Sequence, residues 1–211
     1  MPTITTLATF VLLVAVFAAV PGPSNLYVVA QGLRAGPRPA LAGALGCALG
    51  AMTYVAATTL GLAAVLASSA ATLSVLHYVG GAYLILLGIR AWRGGGHPAR
   101  ACSSEREGAA ARSLRQGFLV ELSNPKVARF FLALFPQFVH RDQGAALLVL
   151  GVTFSVVGLL SDSLYALASS TFRARVVTSH RLATRTGRIS GMTYLGLGAW
   201  AIWSGATTRP H

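Results

Sequence analysis

The sequence predicts an all-α, polytopic membrane protein whose six transmembrane helices are arranged as two inverted three-helix repeats. Hydrophobic residues make up 54% of the chain and charged residues only 10%, compared with about 25% charged residues in an ordinary globular domain. No charged residue occurs from 1 to 33, and a second uncharged run extends from 39 to 89. Because one membrane span needs about 20 apolar residues, the second run is long enough for two spans and a turn.

The spans are predicted in order from the apolar runs and the residues that interrupt them. The chain is expected to form a single membrane-embedded domain over 1–211, with a first repeat at about 1–95, a cytoplasmic loop at about 91–115 and a second repeat at about 116–205. The six predicted spans cover about 5–30, interrupted by Pro21-Gly22-Pro23, then about 40–66, 73–89, 117–139, 145–172 and 189–203.

Basic residues fall almost entirely in alternate connecting loops, which predicts the orientation of the chain. The loops after spans one, three and five contain two, six and five arginines, whereas the loops after spans two and four and the C-terminal tail contain only Arg141 and Arg209. Cytoplasmic loops carry the excess of Lys and Arg, so both termini are expected outside. A net charge of +12 confined to short loops, rather than to one face of a domain, argues against a nucleic-acid partner.

The two halves of the chain resemble each other. The pattern of span three recurs in span six 111 residues later, and Pro21 in span one has a counterpart in Pro125 of span four. Arginines follow span three but precede span six, which predicts opposite orientations and hence the inverted repeat of many secondary transporters. Chance is the alternative, because Gly, Leu and Tyr are frequent in membrane helices. The matching residues are Gly80, Tyr83, Leu84, Leu86, Trp92 and Gly94 in one half and Gly191, Tyr194, Leu195, Leu197, Trp203 and Gly205 in the other.

Proline-containing interruptions of spans one and four are the first candidate site. Proline removes a backbone donor and crowds the preceding turn, and in a membrane the freed carbonyls need a partner from protein or from a water-filled cavity. Matched interruptions at a repeat interface expose backbone dipoles to a polar substrate, although a simple kink is the alternative. The candidate substrate-binding or coupling residues here are Pro21, Gly22, Pro23, Ser24 and Asn25 in span one, and Asn124, Pro125 and Lys126 in span four.

Span four is also unusual in its charges. Glu121, Lys126 and Arg129 leave only 130–139 uncharged, which is too short to cross a bilayer core of about 30 Å as a helix. The charged part therefore either lines a cavity or is re-entrant at the cytoplasmic face. For Lys126 and Arg129, snorkelling to the lipid headgroups is an equal alternative to a functional role.

Asp162 is the most informative single residue. It lies in an uncharged run well inside span five, where a carboxylate costs about 3 kcal/mol on an insertion scale and therefore faces the bundle interior or water. Such residues carry protons or pair with cationic substrate groups. Tyr165, three residues later on the same helix face, is placed to hydrogen-bond it. A structural ion pair with Arg129 or Lys126 is the alternative.

Taken together, these motifs resemble those of the LysE/RhtB family of amino-acid exporters. The resemblance covers almost the whole chain and rests on Pro21-Gly22-Pro23, Gly32-Leu33-Arg34-Ala35-Gly36, Gly80-Gly81-Ala82-Tyr83-Leu84, Gly117-Phe118, Asn124-Pro125-Lys126, Phe130-Phe131 through Phe135-Pro136-Gln137-Phe138, and Asp162 with Tyr165.

This resemblance implies export of amino acids or closely related small metabolites across the cytoplasmic (inner) membrane of a bacterium, driven by proton entry. It implies no enzymatic activity and no cofactor, and it is compatible with a homodimer. The family motif positions map onto Pro21, Gly22, Pro23, Asn124, Pro125, Lys126 and Asp162, whereas no role is carried onto Glu121.

Three other functions remain open at this stage. A metal-ion exporter would need histidine-rich loops or several intramembrane carboxylates, and a membrane-embedded enzyme would need clustered catalytic side chains. The sequence shows neither pattern, and the spacing of Cys47 and Cys102 predicts no metal site. A channel or assembly factor would instead lack proton coupling.

Overall fold

The bounds of the helices are set largely by proline and glycine. The computed structural model describes residues 3–59, 103–131, 135–138 and 144–173, with isolated helical positions between 78 and 92 and between 188 and 203. Every regular element in this part of the chain is helical, as the sequence predicts. The helices with defined bounds are α1 (Ile4–Ala19), α2 (Pro23–Ala35), α3 (Pro37–Thr59), α4 (Ser103–Leu122), α5 (Pro125–Arg129) and α6 (Gly144–Thr171), and Phe135–Phe138 form a 3-10 turn.

The predicted first span is a broken helix. It consists of α1 and α2, which are bent by 55° relative to each other. Pro21 and Pro23 have no amide hydrogen, so the backbone ladder cannot continue through them. Pro23 takes the first position of α2, where the missing donor costs nothing. The prediction of an interruption at Pro21-Gly22-Pro23 is therefore confirmed.

The interruption of span four is confirmed as well, but its helix begins earlier than predicted. α4 starts at Ser103, inside the segment predicted as a cytoplasmic loop, rather than near Gly117. The residues from 103 to 115 are rich in Ala, Arg and Glu, which favour helix whether or not the helix lies in lipid. The start of the span was predicted from where the charged residues end, but charged residues can be part of a helix that begins earlier. After Leu122 the helix breaks, and Asn124 caps α5 by accepting a hydrogen bond from the Lys126 amide at 3.1 Å.

Two of the described helices are long and apolar enough to cross a membrane. They are α3 and the stretch Ala145–Thr171 of α6, and the bent α1–α2 pair becomes a third if it forms one span. Large apolar side chains remain exposed along α6, as a lipid-facing surface requires: Leu148, Val152, Val156, Leu160, Leu164 and Leu167. These helices define a multi-pass membrane protein. The predicted third and sixth spans lie mostly outside the described residues.

Helix α3 approaches α4 very closely through glycine. A Cβ atom on Gly46 would collide with the carbonyl group of Leu114, and one on Gly50 would lie 2.7 Å from Cβ of Glu121. Small residues permit this kind of backbone approach in membrane bundles. The contact places the end of α4, with Glu121, against the middle of α3.

A cluster of aromatic rings holds α1 against the second half of the chain. The Phe17 and Phe130 ring centroids are 4.8 Å apart, and those of Phe130 and Phe154 are 4.7 Å apart. Phe10 packs edge-on against Phe130 at 6.1 Å. Because α1 also packs along α6, the broken end of α1 is fixed beside the residues that follow the break in α4.

The isolated positions between 78 and 92 and between 188 and 203 are in contact with each other. A Cβ on Gly81 would lie 2.8 Å from the Gly198 carbonyl oxygen, and one on Gly88 would lie 2.9 Å from that of Gly191. The order of these contacts is antiparallel. The inverted-repeat arrangement of the whole chain stays a prediction.

Candidate substrate-binding and coupling site

The two helix breaks meet in the interior of the bundle and bring together a buried polar cluster. The Ser24 hydroxyl, in the first turn of α2, donates to Oε2 of Glu121 at the end of α4. The Asn124 amide donates to Oγ of Ser24 at 2.8 Å and to Oε2 of Glu121 at 3.3 Å. None of these three side chains is more than 6% exposed. Buried polar groups in a membrane protein need such partners, so the cluster fixes α2 against the break between α4 and α5.

Asp162 lies at the same place, on the inner face of α6. Its Oδ1 accepts a hydrogen bond of 2.8 Å from the Asn25 amide, and Asp162 is only 6% exposed. Asn25 is held in turn because its Oδ1 accepts the Gly22 amide at 2.9 Å. One side chain thus caps the start of α2 and orients the intramembrane carboxyl group. The prediction that Asp162 faces the bundle interior is confirmed.

Lys126 reaches back to the end of α1. Its Nζ donates to the carbonyl oxygens of Phe17 and Val20, each at 2.6 Å, and lies 4.2 Å from the centre of the Phe17 ring. Among the residues that the structure describes, no salt bridge joins Lys126 to Asp162 or Glu121. The ion pair considered for Asp162 is therefore not formed with Lys126, and Lys126 is directed to backbone carbonyls rather than to headgroups.

Tyr165 also binds the end of α1, which corrects the expected hydrogen bond to Asp162. The Tyr165 hydroxyl donates to the Ala19 carbonyl at 3.2 Å, and Ser161 donates to the Ala18 carbonyl at 3.3 Å. The spacing of three residues does put Tyr165 near Asp162 along α6, but the broken helix offers carbonyls without partners. The Tyr165 phenol is on a side chain long enough to reach those carbonyls, whereas the carboxyl group of Asp162 accepts its hydrogen bond from Asn25.

A cavity of about 40 Å³ opens among these groups. It is lined by Gly22, Ser24, Asn25, Glu121, Asn124, Lys126 and Asp162, and by apolar or small residues of α1, α5 and α6 including Phe17, Phe154 and Ser161. Since one water needs about 10–15 Å³ on this kind of measure, the cavity is large enough for a few waters. An amino acid is several times larger, so the helices lining the cavity would have to separate to admit one.

The structure thus brings most of the predicted site residues together. Pro21, Pro23 and Pro125 make the breaks, and Gly22, Ser24, Asn25, Asn124, Lys126 and Asp162 line the cavity or its hydrogen-bond network. Two more residues line the cavity. The sequence placed Glu121 in the charged part of span four, which was expected to line a cavity or to be re-entrant, but assigned it no role, whereas nothing in the sequence distinguished Ser161. Within the described ranges, no group of three or more His, Cys, Asp or Glu side chains is arranged to hold a metal ion.

Broken helices, lipid-facing apolar surfaces and a buried polar site in the bundle define the class of this protein. It is a multi-pass membrane protein with the architecture of a transporter, in which the interrupted helices surround the polar site.

The comparisons with known proteins identify the family. Residues 15–205 match the model of the LysE type translocator family. The chain is 32% identical to an uncharacterized membrane protein of Vibrio cholerae over 90% of its own length and 92% of the relative's. The chain therefore belongs to the LysE type translocator family, and it is a membrane transporter rather than an enzyme.

Two further relatives carry names that describe a transported compound. A homoserine/homoserine lactone efflux protein of Salmonella typhimurium is 32% identical over 69% of this chain and 71% of the relative. A leucine efflux protein of Klebsiella pneumoniae is 25% identical over 85% of this chain and 86% of the relative. No solved structure matches the chain.

Proposed function

We propose that this protein exports amino acids or closely related small metabolites across the cytoplasmic membrane by exchange with protons. The observation that carries the proposal is the buried site at the meeting point of the two helix breaks. It combines two carboxyl groups, two amides, two hydroxyls and an ammonium group around one cavity. Such a set suits a small zwitterion, because it offers both acceptors and donors within a surrounding of apolar side chains. The names of the efflux relatives point to the same class of substrate.

Proton coupling is assigned to Asp162. Transport against a gradient needs an energy source, and the chain has no phosphate-binding loop of the GxxxxGK[ST] type. A buried carboxyl group inside a membrane protein can bind and release a proton, as carboxylates do in many pumps and transporters. Among the described residues, Asp162 accepts one side-chain hydrogen bond, from Asn25, whereas Glu121 accepts two, from Ser24 and Asn124. Asp162 is therefore the carboxyl group with more freedom to release and take up a proton during transport.

The experiment is proton-driven uptake into vesicles containing the purified protein. With an acidic interior, protons leave down their gradient, and an antiporter accumulates labelled leucine or homoserine from the medium. Asp162→Asn keeps the size and a hydrogen-bonding group but cannot release a proton. This variant should lose uphill accumulation by at least tenfold, while exchange of labelled for unlabelled substrate at equal pH survives.

Glu121→Gln is the matched control because it removes the other carboxyl group of the same cavity. It should retain accumulation in response to the pH gradient. If Asp162→Asn still concentrates substrate and Glu121→Gln does not, the coupling role belongs to Glu121. If the unaltered protein moves neither amino acid nor any other small metabolite tested, the proposal of an exporter is wrong.

A further inference from the structure

Four carbonyl groups at the end of α1, those of residues 17–19 and of the C-cap residue Val20, are bound by side chains from the second half of the protein. A helix leaves its final four carbonyls without intrahelical partners. Here Lys126 binds those of Phe17 and Val20, while Ser161 and Tyr165 bind the two in between. The carbonyls of Phe17 and Val20 therefore face a positive charge, and those of Ala18 and Ala19 face neutral hydroxyl groups.

The position of the Lys126 ammonium has the properties of a binding site for a primary amine. Two carbonyl oxygens accept from it at 2.6 Å. The end of a helix carries partial negative charge, and the Phe17 ring, 4.2 Å away, attracts cations through its face. Carbonyl oxygens and an aromatic face together recognise a compact cation with several N–H groups. The α-ammonium of an amino acid is such a cation.

Lys126 itself is unusual because it is the only lysine of the chain, and the other 16 of the 17 basic residues are arginines. Lysine presents a compact ammonium on a flexible stem, whereas arginine presents a planar fork that fits carboxylates. At this position the ammonium binds carbonyls, although Glu121 and Asp162 line the same cavity. The residue type and its partners both match amine recognition rather than a salt bridge.

We propose that the carbonyls of Phe17 and Val20, with the Phe17 ring, form the subsite for the α-ammonium of the exported substrate. In the absence of substrate the Lys126 ammonium occupies this subsite, and the substrate must displace it in order to bind. The inference rests on the proposed export of amino acids. The exchange replaces one ammonium by another, so the carbonyls at the end of α1 are never left without a donor inside the membrane. The displaced Lys126 remains in the cavity that Glu121 and Asp162 also line.

The first test measures amine binding to the purified protein in lipid nanodiscs. The probes are n-butylammonium, n-butyltrimethylammonium, which has the charge but no N–H donor, and pentanoate, which has a carboxylate and no ammonium. In Lys126→Met the competing ammonium is gone, so n-butylammonium should bind at least tenfold more tightly than to the unaltered protein. The trimethylated cation and pentanoate should change by less than threefold. Arg129→Met, which removes an exposed positive charge from the same short helix, should leave all three unchanged.

Two results would overturn the proposal. Equal tightening for both cations would mean that Lys126 acts through its charge alone, and unchanged or weaker binding of n-butylammonium would mean that Lys126 only caps α1. A second measurement covers the case in which Lys126→Met does not fold. Because the unaltered chain contains one lysine, protein labelled with ¹⁵N-lysine gives one side-chain ammonium signal. Saturating n-butylammonium should shift that signal, and an unmoved signal at saturation would refute displacement.

The outcomes separate this subsite from the proposed function. Neither measurement uses an amino acid or a pH gradient. Displacement of Lys126 without any amino-acid transport would support the proposed subsite and contradict the proposed export. Transport of leucine or homoserine without displacement of Lys126 would support the proposed export and contradict the proposed subsite.

Discussion

Replacement of Asn25 by Ala tests whether the polar site holds the broken helix together. The change removes the acceptor for the Gly22 amide and the donor to Asp162, which form hydrogen bonds of 2.9 and 2.8 Å. A lost helix cap costs about 1 kcal/mol. Hydrogen bonds between membrane helices contribute about 0.6 kcal/mol on average and at most about 1.7. Since Asn25 is 7% exposed and water cannot easily replace these bonds, the free energy of unfolding should fall by about 2 kcal/mol.

The assay is reversible unfolding by SDS in mixed micelles, applied to a double-mutant cycle. Asn25→Ala, Asp162→Ala and the double variant together isolate the coupling between the two side chains. We expect a coupling energy of about 1 kcal/mol, above the average for membrane helices because one partner is a carboxyl group. The matched control is Thr53→Ala. The exposed Thr53 hydroxyl donates to the carbonyl of Leu49 in its own helix, so its removal should cost less than about 0.5 kcal/mol.

A coupling energy below about 0.5 kcal/mol, the scatter expected of independent sites, would contradict this reasoning. Asn25 would then cap α2 without constraining Asp162. In that case the orientation of the carboxyl group would come from packing of α6 alone.

Three further predictions follow from the breaks, the topology and the helix packing. Pro21→Ala supplies an amide donor that competes for the carbonyls at the end of α1, so export should fall more than tenfold while membrane insertion stays normal. The control is Pro37→Ala at an exposed position, and unchanged export in Pro21→Ala would mean that the break is a structural kink without a role in transport. Cys102 should not react with a membrane-impermeant thiol reagent in intact cells and should react after permeabilisation, whereas Cys47, at 1% exposure, should stay unlabelled in both. Ready labelling of Cys102 in intact cells would mean that the chain has the opposite orientation. Gly46→Leu forces α3 away from α4 and should lower the free energy of unfolding by about 1–3 kcal/mol, whereas unaltered SDS unfolding would show that the close approach is dispensable.

Features that depend on local chemistry were predictable from the sequence. Uncharged runs indicated membrane helices, and Pro21 and Pro125 marked the two places where helices break, because a missing amide hydrogen ends a backbone ladder in any surroundings. The isolation of Asp162 in an apolar run indicated a carboxyl group inside the bundle. The family resemblance, which the match over 15–205 confirms, rested on the same local motifs.

The start of α4 shows the limit of that reasoning. Charge density distinguishes membrane from water, but it does not distinguish helix from loop. Arginine and glutamate form helix as readily as most apolar residues do, so α4 extends to Ser103 through a segment that charge alone assigned to a loop.

Within the site, hydropathy, charge and proline identified the separate pieces of this protein, and only the tertiary structure decided which pieces touch. Ser24 meets Glu121 across 97 residues, and Asn25 meets Asp162 across 137. Such contacts depend on how each helix is rotated about its axis, and that rotation is set by packing, such as the glycine contact of α3 with α4. For the same reason the partner of Tyr165 is Ala19 rather than Asp162, because the carbonyls at the broken end of α1 come within reach of Tyr165 only once α1 is packed against α6.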